Sequence, residues 1–105
     1  MIKTLLKAAA IPGKPDRYPD PPASTYAVYF DAVEADGPDG LNLLYKHDVT
    51  VELYEPTRDV EAEEAFEAEL NDQGIHWVKQ ARYWLKDIQR YQVIYEFAYI
   101  EKRRI

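Results

Sequence analysis

The sequence predicts an α+β domain of order α-β-β-α-β-β: a four-stranded, mainly antiparallel sheet with one main helix packed on a face and a Pro-rich N-terminal arm. Three observations lead there. Tyr45 to Tyr54 alternates, with Tyr45, His47, Val49, Val51 and Leu53 on one side and Lys46, Asp48, Thr50 and Glu52 on the other. That is the pattern of a half-buried antiparallel strand with one wet face. A helical segment follows from about Asp59 to Gln73, and then Ile75–Leu85 and Ile88–Glu101 flank Lys86-Asp87 as the strands of a hairpin.

Each element has a local cause. Residues 2–10 form a short helix with Leu5, Leu6 and Ala9 on one face, stopped by Pro12. Ile11 to Pro22 holds five prolines and one glycine, so residues 11–25 are expected to form a stiff extended arm without regular structure. Tyr26 to Val33, rich in Val, Tyr and Phe, reads as a strand. Its following loop contains Asp36-Gly37-Pro38-Asp39-Gly40, which lacks the alternating oxygen ligands of a calcium loop and reads as turn chemistry. Thr57 or Asp59 caps the main helix, whose first turns carry Glu61, Glu63 and Glu64. Ala62, Ala65, Phe66, Ala68 and Leu70 supply its apolar stripe, and Gly74 fits the left-handed position after its last turn. In the last strand Tyr91, Val93, Tyr95, Phe97 and Tyr99 share one face. The other face, with Ile94, Ala98 and Ile100, is too apolar to be simply solvated, so both faces are expected to touch protein.

A chain of 105 residues is one domain, and 47% apolar with 30% charged residues is a globular composition. Cysteine is absent, which excludes disulfides, thiolate metal sites and a Cys nucleophile. No apolar run approaches the roughly 20 residues of a membrane span, and Lys7 interrupts the first one. A soluble intracellular domain with no membrane partner is expected. The net charge of −6 is segregated: residues 1–17 carry +3, 18–78 carry −13 and 79–105 carry +4. An acidic middle of this size disfavours wrapping by nucleic acid. Lys102-Arg103-Arg104 reads as a solvated tail, or, more sharply, as part of a basic surface facing the acidic surface of a neighbouring copy.

The search for chemistry assigns no catalytic, cofactor-binding or metal residues, and the chain reads as a non-enzyme. Ser24 lies in a Pro-rich stretch without a nucleophile elbow, and no glycine-rich phosphate loop is present. His47 and His76 sit on different strands, and His47 and Asp48 face opposite ways. The seven carboxylates from Asp59 to Asp72 form a solvated acidic helix face or a docking face for a basic partner. The candidate functional residues are therefore interface residues. They are Tyr26 and Tyr29 on the first strand, Glu61, Glu64 and Glu67 on the helix, Ile94, Glu96 and Ile100 on the last strand's second face, and Lys102, Arg103 and Arg104 at the basic end.

Several segments in this order carry a resemblance. Ala10-Ile11-Pro12 precedes the Pro-rich arm and Tyr26-Ala-Val-Tyr29; His47-Asp-Val-Thr-Val-Glu-Leu-Tyr54 leads to the acidic helix ending in Leu70; Gly74-Ile75, the hairpin and Tyr91-Gln-Val-Ile-Tyr-Glu-Phe97 close the chain. Over nearly its whole length the chain resembles the tail terminator (tail completion) proteins of long-tailed bacteriophages and prophages. The resemblance implies an α+β subunit of a hexameric ring at the head–tail junction of the virion, assembled in the bacterial cytoplasm. Such a ring ends tail-tube polymerisation and offers the surface on which the filled head docks. Its partners would be further copies of itself, the major tail tube protein and a head connector or head-closure protein. DNA would only pass through the lumen, whose lining could include Glu61, Glu64 and Asp48. No catalytic residues or cofactors come with that family. The alternatives are a head-closure or connector role, and a small acidic adaptor that binds a basic protein.

Overall fold

In the computed structural model, which describes residues 1–37 and 42–104, the alternation read in the sequence becomes a long sheet with helices on one side. The elements are α1 (Ile2–Ala8), β1 (Gly13–Pro15), β2 (Tyr26–Asp36), β3 (Asn42–Glu55), α2 (Val60–Asp72), β4 (Trp77–Lys79), β5 (Tyr83–Leu85) and β6 (Arg90–Arg104). They form one sheet of order β1-β2-β3-β6-β4, with β5 also paired to β6. The expectation of four mainly antiparallel strands under one helix is thus overturned. Six strands make a mixed sheet, because β1 runs parallel to β2 while the other pairings are antiparallel.

The additional strands have separate physical causes. In the arm expected to lack regular structure, carbonyl groups and the few free N–H groups still pair. The Ala27 N–H donates to the Pro12 carbonyl at 2.8 Å and the Asp16 N–H donates to the Tyr29 carbonyl at 2.9 Å. Proline is tolerated because β1 is a sheet edge. Gly13 leaves room there for the buried Leu6 side chain, since a Cβ would sit 2.6 Å from Leu6 Cδ1. At the opposite edge the expected strand Ile75–Leu85 is broken in two. Lys79 pairs with Tyr95, whereas Tyr83 pairs with Gln92, so the edge carries one residue more than β6 between those points. This bulge reverses the facing of the chain, which places both Lys79 and Arg82 toward the helices. The Lys102-Arg103-Arg104 run, expected as a solvated tail, continues β6 against Leu44, Leu43 and Asn42.

The core lies between the sheet and both helices. Odd-numbered residues of β3 and β6 point inward, with Val51, Leu53, Val93 and Tyr95 all fully buried. Phe66 and Leu70 of α2 and Ile2, Leu5 and Leu6 of α1 close over them. Burial of each such side chain contributes about 1.5–3 kcal/mol. Both helices end in the same way. The Ile11 N–H donates to Leu6 O at 2.9 Å and the Ile75 N–H to Leu70 O at 3.0 Å, around left-handed residues Ala10 (φ 58°) and Gly74 (φ 68°). Asp59, one of the two caps expected, accepts from the Ala62 N–H at 3.1 Å. Most of the Asp36–Gly40 turn lies outside the described residues.

Candidate functional site

Because the odd residues of β3 and β6 are spent on the core, their even neighbours face away from both helices; the arm covers one end of this outer face through Tyr18 on Tyr26, while Asp48, Glu96 and Ile100 further along it are exposed. Phe30 and Ala32 of β2, Asp48 and Thr50 of β3, Glu96 and Ala98 of β6, and His76 and Val78 at the edge border a trough of about 660 Å³. Its apolar members are unusually open for their size: Phe30 is 39% exposed, Val78 53%, and Ile100 just beyond it 62%. Asp48 and Glu96 stand one pairing apart, Asp48 opposite Ala98 and Glu96 opposite Thr50. Neither makes an ion pair among the described residues; Glu96 accepts only from Gln80 Nε2, at 2.9 Å. Carboxylates on the two central strands, flanked by Phe30 and Val78 on the outer ones, suit a surface that is both apolar and basic.

On the helical side the chemistry is internal. Glu55 and Glu63 are essentially fully buried, and Arg82 and Lys79 reach them from the bulged edge. Lys79 Nζ lies 2.8 Å from Glu63 and 2.7 Å from Glu67, and Arg82 Nη2 bonds the second oxygen of Glu63. Glu67 also accepts from the Tyr95 hydroxyl at 2.6 Å. Burial, reinforced by the adjoining Glu63, pushes Glu55 up to about 7. Burial would raise Glu63 too, but its bonds to Glu55, Lys79 and Arg82 outweigh that and hold it below the usual carboxylate range. One carboxyl of the pair thus carries the charge and the other carries a proton across the acid range. The helix expected to show a solvated acidic face therefore uses Glu63 and Glu67 inside the fold.

A third cluster lies where the helical cover ends. His47 Nδ1 is 2.9 Å from both oxygens of Asp31, and Nε2 is 3.0 Å from Glu101. The ring stacks on Tyr99 with centroids 4.3 Å apart. Desolvation opposes charging of the imidazole, yet the hydrogen bonds to Asp31 and Glu101 outweigh it and raise its pKa. The carboxylates sit on opposite ring nitrogens, so the imidazolium itself bridges them. No group of three or more His, Asp or Glu side chains among the described residues is placed to hold a metal ion.

The residues expected at an interface are not brought together. Tyr26 is buried in a stack on Tyr54, at 5.2 Å, on the outer face, whereas Tyr29 packs against the core on the inner one. Glu61 and Glu64 are exposed on α2, and Glu67 is engaged as described. Ile94, half-buried, joins Glu96 and Ile100 on the outer sheet face, and Lys102 is exposed near its far end. Arg103 pairs with Glu101 at 3.0 Å and lies over the Tyr45 ring at 4.4 Å. The Arg104 side chain falls outside the described residues. Sequence reasoning missed Phe30, Ala32, Asp48, Val78 and Ala98 as one surface. The signal was the even-numbered positions of three strands taken together. It also missed His47, Asp31 and Glu101, whose register across three strands no local spacing reveals. Among known proteins, no family model and no curated protein matches the chain.

Proposed function

We propose that this chain is a structural subunit of the tail terminator kind, which closes the end of a phage tail tube as a ring and presents the surface for head docking. The observation that carries the reading is the one-sided sheet. Helices close one face, while the other exposes Phe30, Val78 and Ile100 beside carboxylates that make no ion pair among the described residues. Large apolar side chains left this open, with carboxylates between them, suit a protein contact. The long β2-β3-β6 ladder supports the same reading, since it gives the subunit an elongated frame of 50 × 27 × 22 Å. In this proposal the partners are further copies, the tail tube protein and a head connector or head-closure protein, at the virion's head–tail junction. Glu61 and Glu64, exposed on α2, are placed toward the lumen, where carboxylates would repel passing DNA.

Light scattering after size-exclusion chromatography, with negative-stain microscopy of any large species, tests the ring. The same protein added to polymerising tail tube subunits tests the cap. The expected results are a closed ring and tubes of limited length. Tubes that grow unchanged at saturating protein would refute the capping role.

A further inference from the structure

We infer that the outer trough is the seat for the basic α1 surface of the next copy, in one head-to-tail contact repeated around the assembly. The inference rests on the ring reading and adds to it the identity of the two surfaces.

Charge complementarity picks the occupant. Asp48 and Glu96 stand on the central strands between Phe30 and Val78 and make no ion pair among the described residues. On the far side of the sheet α1 buries Ile2, Leu5 and Leu6 and turns Lys3 and Lys7 outward. These two lysines lie one helical turn apart, are exposed, and also make no ion pair among the described residues. Lysine suits the trough because its aliphatic stem can lie along Phe30 and Val78 while its ammonium reaches the carboxylates.

Geometry then selects the mode. A two-fold contact of trough on trough would set Asp48 and Glu96 against their own copies, and like charges placed opposite each other repel. Trough and α1 lie on opposite faces of one sheet, so their pairing is heterologous, the type that closes rings. The short edge strands are poor competitors, one containing Pro15 and the other broken by the bulge. That leaves edge pairing to residues 30–36 of β2 and 98–104 of β6, where no further strand pairs among the described residues. Asp48 thereby belongs to the contact between copies instead of the lumen.

Four proteins test this by sedimentation velocity over a wide concentration range, with circular dichroism to confirm folding. They are the wild type, Asp48→Lys/Glu96→Lys, Lys3→Glu/Lys7→Glu, and the quadruple variant. All four positions are exposed, so folding should survive. Each double variant should associate at least about 100-fold more weakly than wild type, because it juxtaposes like charges. The quadruple variant, and an equimolar mixture of the two doubles, should regain assembly. A wild type that stays monomeric at every concentration overturns the inference, and so does assembly indifferent to either reversal. A folded quadruple variant that remains dissociated does the same. The two readings fail separately. A ring insensitive to the reversals leaves capping intact, whereas a ring that responds as expected but does not limit tube length refutes capping and keeps the contact.

Discussion

Glu55→Gln should leave stability nearly unchanged at acid pH and raise it above wild type as the pH rises. Glu55 is fully buried at the end of β3, accepting from the Asp59 N–H at 3.1 Å, with Arg82 Nε 3.6 Å away and Glu63 adjoining. Its pKa is about 7 in the folded state against an ordinary 4.5. The native state therefore holds a proton that the unfolded chain has released. By linkage, the contribution of this group is fully present below about 4.5 and is lost as pH rises toward about 7. At about 1.4 kcal/mol per pH unit the loss is limited to about 3 kcal/mol. Glutamine keeps the acceptor for Asp59 and remains neutral throughout, while Lys79 and Arg82 still hold the Glu63 charge.

The measurement is urea unfolding followed by the fluorescence of Trp77 and Trp84, at intervals from pH 4 to pH 8, for both proteins. The variant minus wild-type difference should rise across that window by up to about 3 kcal/mol and be flat beyond it. In melting temperature this is on the order of 10–20 °C for a domain of this size. Curves that stay parallel within about 0.5 kcal/mol would show that Glu55 is ionised throughout, and the proton-sharing account of the buried pair would be refuted. A fall in the difference with rising pH would reverse the sign and refute it equally.

Other perturbations address separate parts of the fold. Phe66→Ala, at a fully buried ring packed edge-on to Tyr95 at 5.2 Å, should cost about 3–5 kcal/mol, seen as a lower urea midpoint at unchanged slope. Ala10→Gly should stabilise by roughly 0.5–1 kcal/mol, because the residue occupies φ 58° and glycine adopts it without strain; no gain in midpoint would argue against that terminus. Gly13→Ala should destabilise by about 1–3 kcal/mol by forcing a Cβ onto Leu6, whose side chain is itself core. For His47 the folded pKa is raised, so its contribution is fully present below 6.5 and lost as pH rises through the folded value. An NMR titration should place its midpoint above 6.5 in wild type and lower in Asp31→Asn; equal midpoints would separate Asp31 from the shift.

Much of the chain could be read from local pattern, and the failures share one physical origin. Tyr45–Tyr54, the Asp59 cap, the α2 core residues Phe66 and Leu70, and Gly74 are decided by neighbours in sequence, and each was legible there. The parallel strand Gly13–Pro15 was not, because its partners lie 14 residues away and its prolines conceal the carbonyls that accept. The break in Ile75–Leu85 was equally hidden. An uninterrupted Trp-Val-Lys-Gln-Ala-Arg-Tyr-Trp-Leu run gives no sign of an extra residue until β6 is laid beside it. The same holds for the site. Glu96 and Ile100 were recognisable one strand at a time, but the trough required Phe30, Asp48 and Val78 from three other strands.

The bulge also explains why charge counted along the chain misplaces the free acid. Residues 59–72 look like the most acidic surface of the protein, yet reversing the facing at Gln80–Arg82 brings Lys79 and Arg82 onto Glu63, Glu67 and Glu55. A regular strand would have sent Arg82 to the outer face opposite Gln92, leaving two buried carboxylates without their guanidinium. Breaking a buried network of that kind costs about 3–5 kcal/mol. The one-residue insertion therefore neutralises the inside of the helix layer, while on the open face Asp48 and Glu96 make no ion pair among the described residues. An edge shortened by the insertion is also poorly suited to pairing with another sheet. Deleting Ala81 removes the extra residue but leaves Lys79 and Arg82 two positions apart, both on the helical face, so stability should fall by far less than the about 3–5 kcal/mol of a broken buried network. Measured as a urea midpoint, an Ala81 deletion that loses about 3–5 kcal/mol would show that the bulge geometry itself, and not only the facing it sets, holds Arg82 on the buried carboxylates.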